Sequence, residues 1–183
     1  MKLIAELNIL KRKGLIIGLK LLSLLLCFPY YYLFSRLAIA ITGTSSFYIN
    51  WWEPFFFLFD LVLLLVIHEG IHAFYLKLFN PNNPVKYGSK WYLGFFNAAS
   101  PGSYYPKGQM LIVYLAPFVL TSLVLTLVLA LGWLSSFTYL VLSVLHTAAC
   151  TKDFYFVYLI FWKYRKYQLL IEIKELIIKF YQA

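Results

Sequence analysis

The chain has 183 residues, 62% of them hydrophobic and 13% charged, with a mean hydropathy of +0.76. Soluble domains average about 45–50% apolar and about 25% charged, so this composition excludes an ordinary water-facing surface and points to an integral membrane protein. The net charge of +9 does not mark a nucleic-acid binder, because the basic residues flank apolar segments instead of forming one basic face.

Residues 1–14 form a basic N-terminus carrying Lys11, Arg12 and Lys13. The first apolar segment runs over residues 15–41, with Pro29 as a kink. Ala38-Ile39-Ala40 has the small-x-small form of a cleavage site, but the segment is too long for the apolar region of a signal peptide and is read as a retained span. The second segment, Pro54 to Phe79, opens with a proline suited to a first helical turn and is stopped by Asn80-Pro81-Asn82-Asn83-Pro84. The third runs from Met110 to Gly132 with Pro117 inside it, and the fourth from Ser136 to Trp162. Each exceeds the roughly 20 residues that a spanning helix needs.

Between the second and third spans, Val85 to Phe96 mixes Val, Tyr, Trp and Phe with Gly88 and Gly94. A short hairpin packed on the helices and an interfacial loop with aromatic anchors both fit. Residues 163–183 intersperse basic residues with Leu, Ile and Phe, and predict an amphipathic helix on the inner leaflet. The expected fold is thus an all-α membrane protein with four transmembrane helices, a short β-hairpin-like loop and a C-terminal amphipathic helix. Three of the spans lie in residues 54–162. The loops at residues 42–52 and 132–137 carry no Lys or Arg. The positive-inside rule therefore places both termini and the Asn80–Gln109 loop in the cytoplasm. The two cysteines, Cys27 and Cys150, sit in apolar segments without a disulfide pattern and read as small buried side chains.

The second span contains His68-Glu69-Gly70-Ile71-His72, an H-E-x-x-H sequence. Spacing of four puts both imidazoles on one helix face, one turn apart, where they can share a zinc ion. Glu69 projects beside them and can take a proton from the attacking water and return it to the leaving amine. Ionisable groups at such depth are functional by default. Zinc needs a third protein ligand, and Asp60, His146 and Asp153 are the candidates. Counting 1.5 Å per residue from Lys77 and Lys163 puts His68 and His72 about 14 and 8 Å above the inner edge, Asp153 about 15 Å and His146 about 26 Å. Depth favours Asp153. It also suggests an Asp60–His146 pair, or an Asp60 that simply faces outer water. Cys150, one turn before Asp153, reads as core packing, with a thiol near the metal as the alternative.

These features resemble the site-2 protease clan of intramembrane metallopeptidases. More closely, the chain is similar to a small bacterial family of membrane zincin metallopeptidases. The resemblance rests on His68, Glu69 and His72, on Tyr114-Leu115-Ala116-Pro117-Phe118, and on the segment from His146 to Asp153. It covers residues 55–162 and implies a catalytic core of the last three spans, zinc held by His68, His72 and Asp153, and Glu69 as the base. The clan carries Asn-Pro-Asp-Gly or Leu-Asp-Gly around its aspartate, whereas this chain has Thr151-Lys152-Asp153-Phe154. In the clan a strand beside the site pairs with unwound substrate, and Val85 to Phe96 is the segment here that matches that part.

The expected function is hydrolysis of peptide bonds in or near the membrane, with zinc as cofactor and a membrane protein or peptide as substrate. Asn97 and Ser100 read as plain turn residues, with donation to the oxyanion as the alternative. Two rival readings are an inactive relative that binds or escorts a membrane partner, and a metal carrier. Glu69, unneeded for binding zinc, speaks against the first, and the polar-poor outer half of the spans against the second.

Overall fold

A computed structural model of the chain describes residues 1–47, 49, 51–90, 95–174 and 177–182. The element order is β1 (Lys2–Asn8), α1 (Lys13–Thr42), α2 (Glu53–Phe79), β2 (Lys86–Lys90), β3 (Phe95–Ala99), β4 (Tyr105–Pro106), α3 (Lys107–Ala130), α4 (Ser136–Ala149), α5 (Thr151–Tyr158), a π-helical turn (Leu159–Lys163), β5 (Leu169–Lys174) and β6 (Ile177–Gln182). Helices α1, α2 and α3 are each long and apolar enough to cross a membrane. A fourth crossing exists if α4 and the helix from Thr151 to Lys163, bent by 41° at Cys150, count as one broken span. Outward-facing Leu24, Leu25 and Phe28 on α1, and Phe55, Leu58, Phe59 and Val66 on α2, are exposed. Apolar surface this continuous is stable against lipid and not against water.

The chain divides into two compact units. One comprises Met1–Gly18, Glu69–Pro117 and Lys152–Ala183. It holds a four-stranded antiparallel sheet in the order β1-β6-β5-β4 and the two-stranded sheet β2-β3. Its core gathers Ile9, Leu76, Tyr105, Met110, Ile160, Ile171 and Phe180. The Tyr105 hydroxyl donates to the Leu76 carbonyl in the last turn of α2 at 3.1 Å, and the Lys77 ammonium donates to the Asn83 carbonyl in the following loop at 3.2 Å. The other unit comprises Leu19–His68 and Phe118–Thr151, packed around Phe34, Ala38, Leu64, Leu125, Leu129 and Tyr139.

The C-terminal amphipathic helix expected from the sequence is not formed by the described residues; Leu169–Lys174 and Ile177–Gln182 pair as antiparallel strands β5 and β6 instead, and β1 pairs with β6 from Lys2↔Gln182 to Asn8↔Ile177. The physical reason is the period of the apolar residues. Leu169, Ile171 and Ile173 are buried, whereas Leu170 and Glu172 between them are only half-buried and Lys174 is exposed. This alternation of two, rich in β-branched side chains, suits a pleated strand with one covered face. The hairpin expected between the second and third spans is present as β2–β3, in register from Lys86↔Ala99 to Lys90↔Phe95. The stretch Trp91–Gly94 that joins the strands lies outside the described residues.

Helix α4 starts at the N-cap Ser135, whose hydroxyl accepts from the Thr138 amide at 3.2 Å. The same hydroxyl donates to Glu53 Oε2 at 2.5 Å, and the Thr138 hydroxyl also donates to that oxygen. Glu53 is only 3% exposed, yet it meets the amide-rich end of a helix with two hydroxyl donors, which is what a buried carboxylate requires.

Candidate metal centre

Helix α2 runs unbroken through His68, Glu69 and His72, so their positions follow from helical geometry alone. Within α2, one ligand atom from each of the three lies within 4.8 Å of the others. Both imidazoles are buried, at 5% and 4% exposure.

Each histidine is held at its Nδ1 edge. His72 Nδ1–H donates to the Val113 carbonyl at 2.8 Å. That carbonyl belongs to α3, where its usual partner would be the amide four residues on. Residue 117 is proline and has no amide hydrogen, so the Val113 oxygen is released for His72. A neutral imidazole that donates from Nδ1 presents the lone pair of Nε2, the form a metal needs. His68 Nδ1 in turn lies 3.2 Å from His146 Nε2, with Cys150 Sγ 3.8 Å from both.

Asp153 Oδ1 stands 3.6 Å from His72 Nε2. Two ligands of one tetrahedral zinc, each about 2 Å from it, are separated by about 3.3 Å. The donor pair therefore fits a zinc ion with little adjustment. Asp153 reaches this place because the helix breaks at Cys150. The Cys150 amide donates to the His146 carbonyl at 3.1 Å and closes α4, while the Thr151 hydroxyl donates to the Ala148 carbonyl at 2.7 Å. A new helix then starts, with Asp153 in its first turn.

A cavity of about 20 Å³, room for about one water, is lined by Glu69, His72, Asn97, Tyr114, Lys152 and Asp153 among others. Lys152 Nζ lies 3.9 Å from Glu69 Oε1 and 3.8 Å from Asp153 Oδ1, one cation facing two carboxylates. Glu69 is half-buried, and its Oε2 has no hydrogen-bond partner among the described residues. The Tyr114 ring stands edge-on to His72, centroids 6.0 Å apart, and packs on Phe156 at 5.0 Å. Asn97 on β3 lies opposite Gly88 of β2, and a Cβ at that glycine would come within 2.9 Å of the Asn97 side-chain oxygen. Gly88 thus makes the room that Asn97 occupies.

Several expectations change. His146 does not lie far above the histidine pair but against His68. The straight-rod count fails because the fourth apolar segment is two helices joined at a 41° bend, ending in a π turn where five residues cover the last stretch before Tyr164. The Asp60–His146 pair is not formed; among the described residues Asp60 makes no hydrogen bond or ion pair, and it is half-buried. Cys150 is fully buried, as core packing requires, but it also touches both histidine nitrogens. Of the two candidate oxyanion donors, Asn97 lines the cavity, whereas the Ser100 hydroxyl is committed to the Pro84 carbonyl at 3.3 Å and to Ser103 at 2.7 Å, a turn role. The sequence reading passed over Glu53, Lys152 as a cavity residue, and Pro117 as the cause of a free carbonyl. The last had a legible signal: a proline inside a span marks the carbonyl four residues earlier as available.

A spanning-length helix bearing H-E-x-x-H, with a carboxylate from a second helix beside its second histidine, defines the class: a membrane protein with a zincin-type metal motif. The chain belongs to the family described as putative zincin peptidase, whose model matches residues 61–169, more than half of its length. No curated protein and no solved structure matches the chain.

Proposed function

We propose that this protein is an intramembrane zinc metallopeptidase, distantly related to the site-2 proteases, that hydrolyses peptide bonds in or near the bilayer. The carrying observation is the 3.6 Å approach of Asp153 Oδ1 to His72 Nε2 on the wall of a cavity that Glu69 also lines. His68, His72 and Asp153 would hold the metal, leaving one coordination position for chemistry. Zinc, when bound, supplies the Lewis acidity that lets water ionise near neutral pH and polarises the carbonyl.

Glu69 accepts the proton of the attacking water through its carboxylate and passes it to the amide nitrogen as the C–N bond breaks. The water oxygen ends on the new carboxylate and the proton on the new amine. Lys152, between Glu69 and Asp153, keeps both carboxylates oriented toward the cavity. A helical substrate must unwind before attack, since its carbonyls are already hydrogen-bonded. Asn97 and Ala98 put β3 on the cavity wall, and β3 pairs only with β2 among the described residues, so its other edge can receive an extended segment.

In the bilayer the protein has four spans, α4 and α5 together forming the last, with both termini in the cytoplasm of a bacterial cell and lipid as its surroundings. The test is zinc content and cleavage of a spanning model peptide for wild type and Glu69→Gln. The reading requires zinc in both and cleavage by wild type alone; cleavage by both, or by neither, overturns it.

A further inference from the structure

Tyr114 presents a buried polar atom with no structural occupation. The residue is 5% exposed, its hydroxyl is sealed from solvent, and that hydroxyl has no hydrogen-bond partner among the described residues. A buried hydroxyl left unbonded is costly and rare, so its retention calls for a ligand that comes and goes. The ring has little freedom to seek another partner. It is wedged edge-on to His72 and stacked at a tilt on Phe156, and it follows directly the residue whose carbonyl holds His72. Tyr114 also lines the cavity shared with Glu69 and Asp153.

The other polar groups of that wall are differently placed. Lys152 already faces two carboxylates, and the Glu69 carboxylate can only accept while ionised. A carbonyl oxygen entering this cavity gains negative charge as its carbon is attacked, and it then needs a donor fixed in advance. Building on the peptidase reading above, we propose that the Tyr114 hydroxyl is that donor: it hydrogen-bonds the substrate carbonyl oxygen and holds it more tightly as the oxygen becomes an oxyanion. No proton leaves the phenol; the bond strengthens and then relaxes as the C–N bond breaks.

The test uses the zinc-loaded full chain and Tyr114→Phe, which keeps the ring contacts and removes only the hydroxyl. Zinc content, binding of a phosphinic peptide that mimics the tetrahedral oxyanion, and binding of the matching uncleaved amide peptide to chains that also carry Glu69→Gln are compared. The expected result is unchanged zinc, unchanged amide binding, and phosphinic affinity weakened by about tenfold or more, with kcat lowered by about 10²-fold and KM little altered. Equal phosphinic affinity in the two proteins overturns the inference. So does an equal loss for both peptides, loss of zinc, or failure of the variant to fold, each of which would assign the hydroxyl to packing. A wild-type protein that takes up zinc but binds neither peptide overturns the peptidase reading itself, and that outcome is distinct because it does not involve the variant.

Discussion

His68 and His146 meet edge to face: Nδ1 of the first lies 3.2 Å from Nε2 of the second, with ring centroids 5.3 Å apart and planes crossing at 70°. An imidazole engaged at Nδ1 turns its Nε2 away from that partner, an arrangement in which His146 would act on a metal through the orientation of His68. His146→Ala should therefore retain the motif yet bind zinc about 10–100-fold more weakly, with partial recovery in His146→Gln, which can still accept a hydrogen bond. Competition against a chelator of known affinity measures this. An unchanged affinity would remove His146 from the site.

Asp153 is expected to matter more. If it is a direct ligand, Asp153→Ala leaves two imidazoles and should purify without stoichiometric zinc, whereas Asp153→Glu should keep a weakened site. Metal analysis of both variants decides between Asp153 and His146: full zinc in Asp153→Ala beside an empty His146→Ala would reverse their roles.

Pro117 gives a test that touches no ligand. Pro117→Ala restores an amide hydrogen opposite the Val113 carbonyl, which then has a backbone donor competing with His72 Nδ1. Helix α3 should become no less stable, while zinc affinity falls severalfold as His72 loses its anchor. A thermal melt paired with a zinc titration separates the two effects.

Glu53 opens α2 well before the motif and is expected to bear on stability. Replacing it by Ala strands the Ser135 and Thr138 hydroxyls in a buried place and removes the charge at the start of α4. A loss of about 1–3 kcal/mol is expected, with Glu53→Gln less harmful because it can still accept. Unfolding in detergent measures this, and the zinc affinity of either variant should equal that of wild type.

The spanning helices were legible because uninterrupted apolar runs bounded by Pro, Asn and basic residues have few other readings. The motif was legible because helical spacing alone aligns His68 with His72. Asp153 was reachable from sequence, but the count behind it assumed one straight rod through Cys150, and the same count misplaced His146. The break that explains both is a tertiary choice, with the Ala148 carbonyl accepting from Ser23 at 2.9 Å as well as from Thr151. The tail was misread for a different reason. Basic residues among Leu and Ile suit a surface helix as well as a strand, and the deciding alternation of Leu169, Ile171 and Ile173 matters only when β1 and β4 are there to flank the hairpin. Tyr114 was legible only as part of the segment carrying the family resemblance and Glu53 not at all, since burial is what gives both their meaning.

The pairing of β1 with β6 sets residues far apart along the chain side by side, Lys2 beside Gln182. Such a contact is among the slowest kinds to form, because the long intervening chain must first be gathered in. On a ribosome, β1 emerges before β6 and waits while the helices between them are threaded into the bilayer. Ile173 of β5, one wall of the cavity, is synthesised well after the histidines and Glu69. A nascent chain therefore carries its histidines and glutamate long before the pocket around them closes.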